Sequence, residues 1–195
     1  MKVPGFWIWL KRFRHRKGYG VHSPFAFDFI TGVVYETGLY YAYRPLEQRY
    51  GGRGISCRVR KNRRLLFRVV NYARPDRIDI LGASEAEVAW LSAARSCPVC
   101  TAVADEPALA GGKAGFFYVD LEGTEQGEQV FEAWLPVASS RSVYMVKGIH
   151  ASAVRRVWWK RMQQHPLTGI TFDLYDFGIV FFNRDMYKQH YIVNY

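Results

Sequence analysis

Three side chains that could take part in catalysis or binding follow apolar runs, and these runs predict buried strands. Asp120 closes the run 115–120, and Lys147 and His150 follow the run 142–146. A carboxylate, an amine and an imidazole can transfer protons or bind charged groups, with His150 as the candidate general base. Open α/β sheets bind ligands at the carboxyl ends of their strands, so these three residues are the candidates for a catalytic site. A purely structural role for His150 is the alternative.

The spacing of the thiols does not favour cysteine chemistry. Cys97 and Cys100 form a CxxC pair that follows a predicted helix and precedes a predicted strand. A redox pair of the thioredoxin kind lies at the start of a helix, and a zinc site needs two further ligands at matched spacing. The sequence therefore predicts two structural cysteines, and the odd total of three argues against a disulfide framework.

Basic residues are concentrated in the N-terminal part of the chain. Residues 1–74 contain 16 Lys and Arg against 3 Asp and Glu, a net charge of +13, whereas residues 75–195 contain 11 against 14, a net charge of −3. This field suits an anionic partner such as nucleic acid, anionic lipid or an acidic protein, although a solvated basic face is the alternative. Tyrosines at positions 40–50 add stacking faces for nucleic-acid bases. The candidate anion-binding residues are Arg58, Arg60, Lys61, Arg63 and Arg64.

Strands and helices alternate from Arg77 onward, which predicts an α/β fold. Strands are predicted at 77–82, 99–104, 115–120, 142–146, 170–175 and 179–182, with an edge strand within 189–195. Helices are predicted at 24–36, over 65–73, and at 84–95, 124–137 and 151–164. Ser84 and Glu87 form a capping box that fixes one helix start, and residues 170–182 form a hairpin.

The length of 195 residues fits one domain. We predict a helical, aromatic and basic N-terminal extension, residues 1–60, packed on a core domain of residues 61–195. No run reaches the roughly 20 apolar residues of a membrane span, so a cytoplasmic location is expected. The aromatic and basic residues at 6–17 would cover the sheet, pair two protomers of a homo-oligomer, or lie on a membrane surface.

Five short motifs carry a resemblance to a known family. They lie at residues 20–25, 65–68, 148–150, 171–174 and 178–182. In this order, the chain resembles the class I S-adenosylmethionine-dependent methyltransferases, and in particular a bacterial branch of catechol-O-methyltransferase-like proteins. The resemblance implies a Rossmann-like fold with a mostly parallel sheet and a C-terminal antiparallel hairpin. It also implies S-adenosylmethionine as cofactor and a bound divalent metal.

The cofactor positions that the resemblance implies are only partly filled. Ile80 stands where the family has an acidic residue, and Asp79, one position away, would point to the opposite face of the strand. Ala86 takes the place of the second glycine, and the glutamates beside it would repel the carboxylate of the cofactor. The remaining weak candidates for cofactor binding are Gly82, Ser84, Asp105 and Glu106.

The implied metal site is also altered. The family holds its metal with an Asp closing the fourth strand and an Asp-Asp or Asp-Asn pair closing the fifth. Asp120 fits the first position, but the pair falls on Lys147 and Gly148. An ammonium offers no oxygen ligand, so we predict no metal, unless Lys147 itself serves as the cation and pairs with Asp120.

The chain is short for the complete fold. Only nine residues, 106–114, stand where that fold places a helix, a third strand and another helix. Even one parallel crossover needs about a dozen residues. We therefore expect a reduced sheet of five to six strands, with the third strand absent and the chain crossing directly from Asp105 to Gly115.

These departures predict a non-catalytic or strongly diverged methyltransferase-like protein that acts as a binding module. No bound cofactor is expected, or weak binding of S-adenosylmethionine. One alternative is an active methyltransferase, or another small-molecule enzyme, with a pocket rebuilt around Asp120, Lys147 and His150. The other is a nucleic-acid-binding module that uses the basic N-terminal half.

Overall fold

A computed structural model describes residues 18–52, 54–101 and 115–195, apart from the side chain of Thr101. The helices are α1 (Pro24–Phe29), α2 (Tyr43–Tyr50), α3 (Cys57–Ala73), α4 (Glu85–Ala94), α5 (Gly127–Trp134) and α6 (Ala153–Gln164). The strands are β1 (Arg77–Leu81), β2 (Val99–Thr101), β3 (Gly115–Asp120), β4 (Val143–Lys147), β5 (Thr171–Asp173), β6 (Phe177–Phe181) and β7 (His190–Ile192). A π-helical segment (Ile30–Val34) continues α1, and a 3₁₀ turn (Leu135–Val137) continues α5.

The described strands form one sheet in the order β2-β1-β3-β4-β6-β5-β7. Of these strands β6 alone runs against the others, and it forms the predicted antiparallel hairpin with β5. The expectation of five to six strands is wrong, because the described residues form seven and the edge strand at the C-terminus is one of them. The segment 102–114, where the third strand of the complete fold was predicted to be absent, lies outside the described residues.

Helices cover both faces of the sheet because their apolar residues recur on one side. The first face packs against α1, α3 and α4, with Phe29, Leu66 and Leu91 in the shared core. The second face packs against α5 and α6, with Trp134 and Trp159 fully buried. Helix α1 therefore contributes side chains to this core.

Helix α3 shows how the sequence sets one of these elements. The Ser56 side chain caps its start, and Leu65, Leu66, Val69 and Val70 lie on the buried side. The helix ends at Ala73 and is followed by Arg74, which has a left-handed backbone and directly precedes Pro75. The sequence predicted that the helix ends before this proline. None of the helices in the described ranges is long and apolar enough to cross a membrane.

Some boundaries differ from the prediction. Helix α2 lies within the region that the sequence predicted to be helical, although its bounds were not predicted. Its Tyr43 packs on Phe67 and Trp90. The predicted strand 170–175 ends at Asp173, since Tyr175 adopts a left-handed backbone with φ of 73° that ends the extended run. The helix predicted from residue 124 begins at Gly127.

Candidate functional site

The carboxyl ends of β1, β3 and β4 lie side by side at one edge of the sheet, and Lys147 lies among them. The register of the sheet pairs Asp120 with Lys147. The Lys147 Nζ atom lies 2.6 Å from Asp120 Oδ2 and 2.7 Å from Glu87 Oε1. The side chain of Lys147 is 30% exposed, whereas those of Glu87 and Asp120 are 9% and 8% exposed. The pairing of Lys147 with Asp120 that the sequence suggested is therefore present, with Glu87 as an additional partner.

Glu87 is held in place from both of its carboxylate oxygens. Its Oε2 atom accepts hydrogen bonds from the backbone N and the Oγ of Ser84, at 2.9 Å and 2.8 Å, which completes the predicted capping box. Its Oε1 atom accepts the Tyr118 hydroxyl at 3.0 Å in addition to Lys147. From the sequence, we expected Glu87 to lie beside the cofactor and to repel its carboxylate. In the structure, the Glu87 carboxylate pairs with the Lys147 ammonium.

The charges of this ion cluster, defined as Glu87, Asp120 and Lys147, stabilise one another. Burial by itself raises the pKa of Glu87, but the bonds from Lys147 and Ser84 outweigh it and lower this pKa below its usual value. Burial likewise lowers the pKa of Lys147, and its bonds to the two carboxylates raise it above its usual value. Burial, together with the two carboxylates, raises the pKa of Tyr118 well above its usual value. Glu87 and Lys147 therefore remain charged at neutral pH.

Two loops that would flank a cofactor touch each other through their backbones. Gly82, with φ of 71°, follows β1, and Gly123 follows β3. A Cβ atom added at Gly123 would lie 2.2 Å from the Gly82 carbonyl oxygen, and one added at Gly82 would lie 2.7 Å from the Asp120 carbonyl oxygen. No ligand atom fits between these two backbones.

The candidate cofactor residues are therefore placed in other roles. Gly82 forms this backbone contact, and Ser84 caps α4. Asp105 and Glu106 lie outside the described residues. Asp79 does turn to the face opposite Ile80, where it is fully buried and receives a bond from Arg77 at 2.7 Å. Burial raises the pKa of Asp79 although Arg77 opposes the shift.

His150 has a carboxylate partner at the end of β5, and the convergence of the three candidate catalytic residues stays a prediction. The His150 Nε2 atom lies 2.7 Å from Asp173 Oδ2 at the end of β5. Its ring stacks on Tyr175, with centroids 4.9 Å apart and planes 2° from parallel. Asp173 also accepts the backbone N–H of Tyr175 at 2.9 Å and so holds the left-handed residue in place. No spacing in the sequence indicated this pair, because its members come from different loops.

Four of the five candidate anion-binding residues have partners inside the molecule. Arg58 forms a bidentate ion pair with Asp176, and Arg64 pairs with Glu47 at 2.7 Å. Arg63 donates to the Tyr50 carbonyl oxygen at 2.7 Å. Lys61 lies 3.8 Å above the Tyr195 ring, and burial lowers its pKa. Arg60 is exposed.

The described residues fit neither of the groups that the resemblance implies. They contain no group of three or more His, Cys, Asp or Glu side chains suited to a metal. The Lys147 ammonium stands where the metal would need oxygen ligands, and the contact of Gly82 with Gly123 fills the gap between the loops.

No protein-family model matches the chain, and no curated protein matches it. Among solved structures, the chain is similar to the SAH-bound methyltransferase PaMTH1 of Podospora anserina, with 12% sequence identity and a TM-score of 0.48. The alignment covers 82% of this chain and 96% of that chain. At this level, the similarity identifies neither a cofactor nor an activity. The topology itself, mostly parallel strands covered by helices and closed by an antiparallel hairpin, gives the chain a Rossmann-like α/β fold.

Proposed function

We propose that this protein is a non-catalytic, methyltransferase-like binding module, derived from the catechol-O-methyltransferase-like branch. The observation that carries the proposal is the position of Lys147, which bridges two buried carboxylates where the fold would bind its cofactor and metal. An ion pair of this kind occupies the site permanently, because the ammonium is part of the chain.

The cluster leaves little for a ligand to satisfy. Asp120 Oδ1 accepts the Glu122 backbone N–H at 2.9 Å, while Oδ2 accepts Lys147. The Glu87 carboxylate accepts bonds from Ser84, Tyr118 and Lys147. A ligand that entered would have to break these charge-assisted bonds, which are among the stronger contacts in proteins. The geometry thus supports loss of cofactor binding more than a rebuilt pocket.

Calorimetric titration with S-adenosylmethionine and with S-adenosylhomocysteine tests the proposal. We expect no saturable heat at ligand concentrations up to about 1 mM, which corresponds to a binding free energy weaker than about 4 kcal/mol. A methyltransferase known to bind the cofactor serves as the positive control in the same buffer. Saturable binding with a Kd near or below about 10 μM would refute the proposal.

A second candidate function is a small-molecule enzyme that uses His150 as a general base. The favouring observation is the 2.7 Å contact with Asp173, which would orient the imidazole. Transfer of a labelled methyl group from S-adenosylmethionine to a catechol, abolished by His150→Asn, would support this candidate. We favour the binding module because His150 stacks on Tyr175, and because Lys147 pairs with the two carboxylates at the strand ends.

A further inference from the structure

We propose that the protein binds single-stranded nucleic acid along one side of the carboxyl edge of its sheet. The surface, named here the carboxyl-edge ridge, consists of Arg58, Arg60, Tyr175, His150 and Arg156. This inference rests on the proposed binding function and gives it a partner.

Direct contacts connect four of the five ridge residues, all but Arg60. The Arg58 guanidinium lies 5.6 Å from the centroid of the Tyr175 ring, which stacks on His150. Arg156 in turn donates from Nη1 to the His150 carbonyl oxygen at 3.4 Å. Arg60 lies within one helical turn of Arg58, on exposed surface. Cations at the first turns of α3 and α6 are thus joined through an aromatic pair.

Asp176 neutralises Arg58, whereas no carboxylate of the described residues pairs with the ridge cations Arg60 and Arg156. Asp173 holds His150, and the ion cluster combines two carboxylates with one ammonium, so it keeps one carboxylate in excess. Arg156 is bonded to a carbonyl oxygen, which leaves its charge uncompensated, and Arg155 likewise donates to the Leu121 carbonyl oxygen.

The ridge cations lie where they oppose the helix dipoles. Helices α3 and α6 have no acidic residue in the first turn and begin with basic residues, although the N-terminus of a helix favours negative charge. Helices α4 and α5 follow the usual rule, with Glu85, Glu87 and Glu128 in their first turns. The contrast within one edge indicates that the cations on α3 and α6 serve binding rather than stability.

The chemistry of the ridge favours nucleic acid over an acidic protein. Apart from Tyr175 and His150, every ridge residue is an arginine. The planar guanidinium group of arginine can bind two phosphate oxygens at once. Aromatic rings placed between such cations are typical of surfaces that follow a single strand and tolerate any base sequence. An acidic peptide would use the cations but gain nothing specific from the Tyr175 and His150 pair.

Fluorescence anisotropy with a labelled oligouridylate of about 20 nucleotides tests the proposal on the full chain. The test variant carries Arg60→Glu and Arg156→Glu. The matched control carries Arg95→Glu and Arg184→Glu, two exposed residues at the opposite edge of the sheet, and changes the net charge equally. If the charge reversals unfold the protein, Arg60→Gln with Arg156→Gln replaces them.

We expect the wild type to bind with an affinity that falls steeply with salt. The ridge variant should bind at least about tenfold more weakly, and its logarithmic salt slope should fall by about 0.7 for each lost phosphate contact. The control should lose no more than about threefold.

Four results would overturn the proposal. They are an equal loss in the two variants, equally tight binding of a duplex of the same length, binding of poly-glutamate but not of oligouridylate, and binding of neither. None of them changes the outcome of the S-adenosylmethionine titration, so the two proposals fail separately.

Discussion

At the scale of single residues, Lys147 determines the chemistry of the site. Two carboxylates that are almost completely buried face one ammonium, and each is also bonded to the chain around it. The complete ion cluster adds less to the free energy of unfolding than the removal of its cation alone would subtract. Without the cation, two buried carboxylates are left to repel each other. Substitution of Lys147 therefore tests whether the cluster is structural.

We expect Lys147→Met to lower the free energy of unfolding at pH 7 by about 2 kcal/mol, less than for a completely buried pair because the lysine is partly exposed. The double variant Glu87→Gln with Lys147→Met should be more stable than the single one, since it removes one of the two repelling charges. Urea denaturation of the wild type, both single variants and the double variant measures the coupling. A strictly additive result would show that the two side chains do not interact.

The pH dependence of this difference follows from the direction of the pKa shift at Glu87. The folded state lowers the pKa of Glu87, so its contribution is present above the usual glutamate value of about 4.3 and is lost as the pH falls through the folded value. In Lys147→Met the stabilising contribution of Glu87 is missing. Protonation of Glu87 as the pH falls relieves its repulsion with Asp120. The stability difference between wild type and variant should therefore shrink between about pH 7 and pH 4, and a constant difference would contradict this explanation.

At the scale of elements, the loops after β1 and β3 are locked by the contact between Gly82 and Gly123. We expect Gly123→Ala to cost about 2–3 kcal/mol, because its Cβ would overlap a backbone oxygen that cannot move alone. This corresponds to a fall in Tm of about 4–12 °C for a chain of this size, measured by thermal denaturation. Gly52→Ala is the control, since an added Cβ there meets nothing within 4 Å. Equal Tm values for the two variants would show that the loops are not locked.

Local rules predicted those elements whose signals lie within a few residues. The capping box at Ser84 and the amphipathic burial of α3 follow from spacing, and the pairing of Asp120 with Lys147 follows from adjacent parallel strands. The partner Glu87 was missed because its direction depends on how α4 packs over the strand ends. The His150 and Asp173 pair was missed because two loops, distant in sequence, bring its members together.

At the scale of the whole molecule, the N-terminal region and the α/β domain share one core. Phe29 from α1 packs against Phe172 and Phe181 of the hairpin, with ring centroids 4.7 Å and 5.0 Å apart. Near the end of the chain, the Tyr195 hydroxyl donates to the Lys61 carbonyl oxygen at 2.8 Å, and burial raises the pKa of Tyr195 to about 12. These contacts join elements distant in sequence, so we do not expect helix α1 to unfold separately from the rest of the described residues.

We predict a single cooperative unfolding transition in urea. Far-ultraviolet circular dichroism, which reports helices, and tryptophan fluorescence, which reports both faces of the sheet, should give the same midpoint. Phe29→Ala should lower both midpoints together, because its ring lies in the shared core. An early transition seen only by circular dichroism would indicate that the N-terminal region unfolds on its own.

The covalent attachment of the Lys147 ammonium has a consequence for the supply of ions in the cell. A diffusible metal fills its site only in proportion to its free concentration, whereas a tethered cation is present at a high effective concentration under all conditions. The Lys147 ammonium between Glu87 and Asp120 therefore does not depend on metal uptake, and the protein does not compete with metalloproteins for this cation. Chelators should leave this part of the molecule unchanged, and its integrity is independent of metal starvation or excess.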